Sequence, residues 1–154
     1  LAFNPRKPTV EGRMEILSSS PGRKGLIDVA SEAGVEKPLV DVSVLDVPDV
    51  GPAAKAVFMV KEKYGLPSGC APANAIDMWR RNRSMDAKTF LVSNATAHST
   101  PAVVGADFIM YGPISRAPYM YQAVALVDAL VAYSMRQQYR MRPLTRDHPL
   151  YKIF

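Results

Sequence analysis

Two polar side chains sit where a parallel α/β fold would present a ligand. Asp41 lies inside the β-branched run Pro38-Leu39-Val40-Asp41-Val42-Ser43-Val44, and Asn74 follows the small-residue segment Gly65-Leu66-Pro67-Ser68-Gly69-Cys70-Ala71-Pro72-Ala73. Strand side chains alternate between faces, so Asp41 and Ser43 share one face while Val40, Val42 and Val44 share the other. A carboxylate within a buried strand is costly unless strong donors meet it. A ring system with adjacent N–H donors, such as a pterin, meets that need, and so does a neighbouring lysine or arginine; the residues alone leave both open. Asn74 opens a helix, where its amide either caps the backbone or exchanges a hydrogen bond with a ring nitrogen. The glycines and prolines before it let the backbone, at Gly69 above all, come close to a flat ligand.

Other candidates divide in the same way. Asn4 ends a first apolar run and is either a turn former before Pro5 or a ligand contact. Tyr111-Gly112-Pro113 ends the last strand and shapes the floor of a pocket there. Asp46 reads as a turn or capping residue. Cys70, the single cysteine, has no histidine near it in sequence and reads as a small buried residue rather than a nucleophile. His98 and His148 have no carboxylate or second histidine at ligand spacing, which suits surface or structural roles and not a metal site. No metal-binding residue set is expected.

The elements that must position these groups alternate between strand and helix. Strand signals cover 1–3, 38–44, 66–69 and 106–111. Helical spacing covers 9–17, 24–33 with Gly34 as its stop, 53–64 with Pro52 at its head and Gly65 at its end, 73–83, 86–98 and 118–139. The stripe Tyr119, Ala123, Leu126, Leu130, Tyr133 is at helical spacing, and core packing is its expected role. A polar tail occupies about 140–154. About four strand-then-helix units predict parallel strands with helices outside them, in a single domain over 1–154. The rival is an open doubly wound sheet that binds a nucleotide, but no G-x-G-x-x-G turn follows any strand.

Composition narrows the class. The chain has 154 residues, 48% of them hydrophobic, which is enough for one real core. A formal charge of +5 suggests nucleic acid only weakly, because the basic residues are scattered among acids outside Arg80-Arg81-Asn82-Arg83 and the tail. One cysteine excludes a disulfide framework and every cysteine-rich zinc site, and a reducing, cytoplasmic setting fits best. The apolar run Leu1-Ala2-Phe3 enters Asn4-Pro5 with nothing before it, as in a chain that begins mid-protein.

Four segments occur in order: Leu39-Val40-Asp41-Val42-Ser43-Val44-Leu45-Asp46, the run from Gly65 to Ala75, Ala106-Asp107-Phe108-Ile109-Met110-Tyr111-Gly112-Pro113-Ile114, and Asp147-His148-Pro149-Leu150-Tyr151-Lys152. Together they resemble the H-subunit family of tetrahydromethanopterin S-methyltransferase, over essentially the whole chain and against the second half of that family's length. The wider group includes methyltetrahydrofolate:corrinoid methyltransferases, with dihydropteroate synthase more distant. The resemblance implies an α/β fold that is the C-terminal half of a (β/α)₈ barrel. It also implies transfer of a methyl group from N5 of methyl-tetrahydromethanopterin to the cobalt(I) of a corrinoid carried by a partner subunit, in methanogenic one-carbon metabolism. In that group a strand aspartate binds the pterin ring and an asparagine after the next strand lies near N5. Asp41 and Asn74 are the matching positions, with Ser43, Asn4, Gly69 and Gly112 as further pterin contacts.

A methylated amine leaves poorly as an anion, so N5 must be protonated or strongly hydrogen-bonded as the methyl departs. Asn74 would hold that N–H while Asp41 fixes the ring. The implied partners are the corrinoid-carrying component of a membrane-associated complex, an N-terminal half barrel that supplies the first four strands, and further copies in a homo-oligomer; nucleic acid is not among them. Peripheral membrane association would come through the complex, and the chain alone would be inactive. A tetrahydrofolate-using relative and a non-catalytic docking protein are the alternatives.

Overall fold

The computed structural model describes residues 1–154. Its helices are α1 (Val10–Leu17), α2 (Leu26–Glu32), α3 (Val50–Tyr64), α4 (Pro72–Asn82), α5 (Ala87–Val103), α6 (Ala117–Tyr139) and α7 (Leu150–Ile153), and its strands are β1 (Val40–Asp41), β2 (Ser68–Cys70) and β3 (Phe108–Ile109). The three strands form one sheet in the order β1-β2-β3, with both pairs parallel. Helices connect them, so the alternation expected from the sequence is present.

The strands are shorter than their apolar runs. Val42 N–H still donates to Gly69 O at 3.0 Å, but Ser43 turns into the left-handed region at φ 64° and ends the ladder. Asp107 and Met110 extend the β3 pairing by one bond each, to Ser68 O and Cys70 O. Residues 1–3 form no strand. Ala2 N–H nevertheless donates to Asp41 O at 2.7 Å, which sets this segment beside β1 on the side away from β2.

The core lies between the sheet and helices α1 and α3. Val40, Val42 and Val44 pack with Ala53, Ala56, Val57 and Val60 of α3 and with Val10, Met14 and Leu17 of α1. Burying each such valine contributes on the order of 1.5–3 kcal/mol before entropy is counted. Helix α3 begins at Val50, ahead of Pro52, so the missing proline N–H falls in the first turn, where no intrahelical partner exists anyway. Gly65, at φ 62°, ends it in the left-handed conformation. Thr9 caps α1 through a hydrogen bond from Gly12 N–H at 3.2 Å. Asp86 caps α5 through Lys88 and Thr89 N–H, and that helix runs past His98 and Pro101 to Val103.

Two expectations for the last third change. The stripe on α6 is not core: Tyr119, Leu126, Leu130 and Tyr133 are 55%, 45%, 52% and 43% exposed, while Met120 and Ala129 are the buried positions. The apolar periodicity is real, but Tyr119, Leu126 and Leu130 stay exposed, and only Tyr133 meets the tail. The tail is not simply polar either. It folds back so that Leu150 is buried, Phe154 meets Tyr133 edge-on, and His148 Nε2 lies 3.5 Å from Asp128 Oδ2.

Candidate active site

Residues 42–45 carry the chain from β1 toward α3, and α4 begins directly after β2. Their meeting point is a cleft of about 430 Å³ lined by Val44, Leu45, Asn74, Asp77, Met78 and Arg81. That lies within the range of roughly 300–1,000 Å³ common for small-molecule sites. Positions 74, 77, 78 and 81 fall on one face of a helix, so α4 supplies a polar stripe and the strand end supplies an apolar wall.

Asn74 is the third residue of α4 and not its cap, which is Ala71. Its Nδ2 donates to Val44 O at 3.3 Å, and Oδ1 engages no group of the protein. With one N–H tied in this way, the amide keeps its second N–H and its carbonyl oxygen for a ligand. Asp77 is held differently: Arg116 donates to both carboxylate oxygens, at 2.9 and 2.7 Å. Arg116 and Arg80 both lie over the Phe90 ring, at 5.1 and 4.3 Å from its centroid. Arg81 forms no ion pair and is the free cation of the cleft.

Asp41 and Ser43 do not line this cleft, although Ser43 directly precedes Val44 in its wall. The Asp41 carboxylate accepts Ser43 N–H at 2.9 Å, and no lysine or arginine pairs with it. The salt-bridge alternative for Asp41 is therefore not realised. Ser43 carries a Cβ in the left-handed region, which costs about 1–2 kcal/mol and persists only where surroundings fix it. Arg13 supplies that fixation. It is fully buried, donates from Nε to Val42 O at 2.8 Å, and reaches Ser43 O at 3.4 Å and Asp49 Oδ1 at 3.3 Å.

The remaining sequence candidates have local explanations. Asn4 accepts Arg6 N–H through Oδ1 at 3.1 Å, as a turn former does, and lines a separate cleft with Arg6, Glu15 and Arg23. At Gly69 a Cβ would meet Phe108 O at 2.0 Å, so the close approach there is made by β3. Gly112 is left-handed at φ 83°, and a Cβ there would press on Arg116 at 3.1 Å. Burial pushes the Cys70 thiol up to about 12, with the Asp41 carboxylate adding to the rise and Arg13 opposing it, so thiolate chemistry is disfavoured. His98 is fully buried: its Nδ1 lies 2.7 Å from Asn94 O and its Nε2 has no partner. Burial holds its pKa below the ordinary imidazole value, with the Arg116 charge acting in the same direction.

Sequence reasoning missed Asp77, Arg81, Arg116 and Arg13. The spacing of the first two from Asn74 was readable. For Arg13, the fourth residue of α1, the signal was a charge on the same helix face as the apolar Val10, Met14 and Leu17.

A family model described as "Tetrahydromethanopterin S-methyltransferase MtrH subunit" matches residues 1–142. This chain belongs to the MtrH family. The tetrahydromethanopterin S-methyltransferase MtrH-type subunit of Methanopyrus kandleri is 32% identical over 165 residues, covering 97% of this chain and 51% of that protein. Its counterpart in Methanothermobacter thermautotrophicus is 31% identical over 99% of this chain, and the one in Methanocaldococcus jannaschii is 30% identical over 99%. The chain spans about half the length of these MtrH relatives. No helix of this MtrH family member is long and apolar enough to cross a membrane.

Proposed function

We propose that this chain carries the N5-facing part of a methyl-tetrahydropterin methyltransferase site, and that it forms the C-terminal half of a (β/α)₈ barrel, in one domain over 1–154. Family membership supports the substrate: the relatives are named for a tetrahydromethanopterin methyltransferase. The sequential, all-parallel strand order supports the half barrel, as does the alignment of residues 1–3 beside β1. The sheet has an unpaired outer edge at β3, where strands from an N-terminal half would continue it.

The observation that carries the reading is the Asn74 amide. One N–H of its Nδ2 is taken by Val44 O, and Oδ1, which has no partner in the chain, is available as an acceptor in the cleft that Asn74 lines. As N5 of the bound methyl-pterin takes up a proton from solvent on the way to transfer, the N5–H formed donates to that oxygen. As the C–N5 bond breaks, its electron pair stays on N5, which leaves as a neutral amine because the proton is already in place. Asp41 takes the ring's N–H donors from the adjacent strand position, with Ser43, Asn4, Gly69 and Gly112 as further contacts in the assembled barrel. A corrinoid on a partner protein supplies the low-valent cobalt that accepts the methyl group. Asn74 is solvent-exposed, so the open side of the cleft leaves the methyl reachable from a docked partner. The setting we assign is a cytoplasmic, homo-oligomeric component of a membrane-associated complex in methanogenesis, inactive as this half alone.

The test is calorimetric titration of methyl-tetrahydromethanopterin and methyl-tetrahydrofolate into the chain, with and without an added N-terminal half. Binding of the methanopterin form to the pair alone is expected. Preference for the folate form would reassign the pterin. A folded pair that binds neither would leave only a docking role.

A further inference from the structure

The α1 helix sends one charged side chain through the core to the strand end beside the cleft. Arg13 has no exposure to solvent, although a guanidinium is among the groups least often buried completely. Its position is defined by three acceptors: Val42 O at 2.8 Å, Ser43 O at 3.4 Å and Asp49 Oδ1 at 3.3 Å. Asp49 in turn uses its second oxygen to accept Leu45 N–H at 3.1 Å. From below, Asp41 Oδ1 accepts Ser43 N–H. Every residue from Val42 to Leu45 except Val44 is therefore held directly by Arg13, Asp49 or Asp41. The one exception, Val44, gives its carbonyl to the Asn74 amide.

This arrangement exceeds what packing requires. An apolar residue at position 13 would continue the stripe of Val10, Met14 and Leu17, and Arg13 Nη1 is left buried without a partner. Lysine would not replace it, because a planar fork spans two successive carbonyls and a carboxylate where an ammonium is a single point charge. What the fork maintains is the left-handed turn at Ser43, and that turn aims Val44 O at Asn74.

We propose that Arg13 is a positioning residue for methyl transfer: with Asp49 it fixes the 42–45 backbone, and through Val44 O it sets the orientation of the Asn74 amide. The inference rests on the reading of Asn74 as the N5-facing group. Arg13 touches no substrate; it determines which atom of Asn74 the substrate meets.

The test compares single-turnover methyl transfer from methyl-tetrahydromethanopterin in the protein at full natural length, within its complex, for Arg13→Lys, Asn74→Ala and the double variant. Arg13→Lys is expected to slow transfer by about tenfold to a hundredfold. In the Asn74→Ala background the same change is expected to alter the rate by no more than about twofold, because the group it positions is already gone. Multiplying effects in the double variant would overturn the positioning role while leaving Asn74 in place. A normal rate in Arg13→Lys would overturn it as well. A normal rate in Asn74→Ala would remove both this inference and the reading beneath it. Should Arg13→Lys fail to fold, Asp49→Asn at the edge of the network carries the same comparison, with non-additivity again expected and multiplying effects again fatal.

Discussion

Asp77 on α4 receives both terminal guanidinium nitrogens of Arg116, at 2.7 and 2.9 Å, and so ties the cleft-lining helix to the segment after β3. The pair is mostly shielded, with side-chain exposures of 32% and 18%, and Arg116 also lies over the Phe90 ring. Replacing Asp77 with alanine is expected to lower unfolding free energy by about 1–3 kcal/mol, because a shielded guanidinium loses two charged acceptors. Arg116→Lys should recover little of this, since an ammonium cannot match both oxygens in one plane. Urea unfolding of the three proteins checks it. A loss in Asp77→Ala under about 0.5 kcal/mol, the size of an ordinary surface substitution, would mean the pair holds nothing.

Gly69→Ala is expected to be among the most damaging small substitutions in the chain. The added methyl would lie 2.0 Å from Phe108 O, and that oxygen belongs to the strand paired with Gly69. Relief requires β2 and β3 to part, so a loss of about 1–3 kcal/mol or more follows. Thermal melting reads it directly. A variant as stable as the parent would show that β3 does not pack here as described.

His98 gives the stability a definite pH dependence. Its folded pKa lies below the ordinary 6.5, through burial first. Well above 6.5 both states are neutral at this residue and it adds no slope. As pH falls below that value the unfolded chain takes up a proton that the folded chain refuses, so stability drops until the lowered folded value is passed. His98→Gln removes this contribution. The difference between parent and variant should therefore be flat above about pH 7.5 and change progressively below it. A difference curve with its step on the alkaline side would contradict the buried neutral imidazole.

The sequence made α3 and its ends legible, because Pro52, Gly65 and the spacing of Ala53, Ala56, Val57 and Val60 agree with one another. It made Asn74 legible as a cleft residue, since small residues after a strand place a helix start at the sheet's end. It did not reveal the length of β1, which Ser43 cuts short through a backbone conformation that its side chain does not advertise. The α6 stripe shows the commonest failure. Periodicity says that one face is apolar, while burial depends on what packs against it, and nothing in this chain covers Tyr119, Leu126 or Leu130. Arg13 was hidden because a charged residue on an amphipathic helix is normally assigned to solvent.

Asp41→Asn offers a clean test of ring binding. An asparagine Oδ1 can still accept Ser43 N–H, so the turn survives while the negative charge is lost. The pterin dissociation constant is expected to rise by about tenfold or more, the weight of one charge-assisted hydrogen bond. The single-turnover rate at saturation should change far less. Unchanged binding in calorimetry would remove Asp41 from the site and leave its carboxylate as a turn-closing group.

Asn74→Ala should show the opposite division. Before reaction N5 carries no proton and offers Oδ1 no donor, so losing the amide weakens binding only modestly. During reaction N5 gains a proton, and an acceptor already fixed by Val44 O needs no reorganisation to meet the cationic N5–H. Removing a preorganised partner of this kind costs about a hundredfold in rate where it acts on the transition state. The expected result is therefore a large fall in the saturated transfer rate with a dissociation constant within about fivefold of the parent. Asn74→Asp sharpens the test. A carboxylate keeps the acceptor but loses the N–H that Val44 O requires, so the side chain turns away from its seat and the rate should fall although an oxygen remains. Equal losses in rate and binding for Asn74→Ala would instead assign Asn74 to uniform substrate binding, and the proton on N5 would have to be held by a residue outside this cleft.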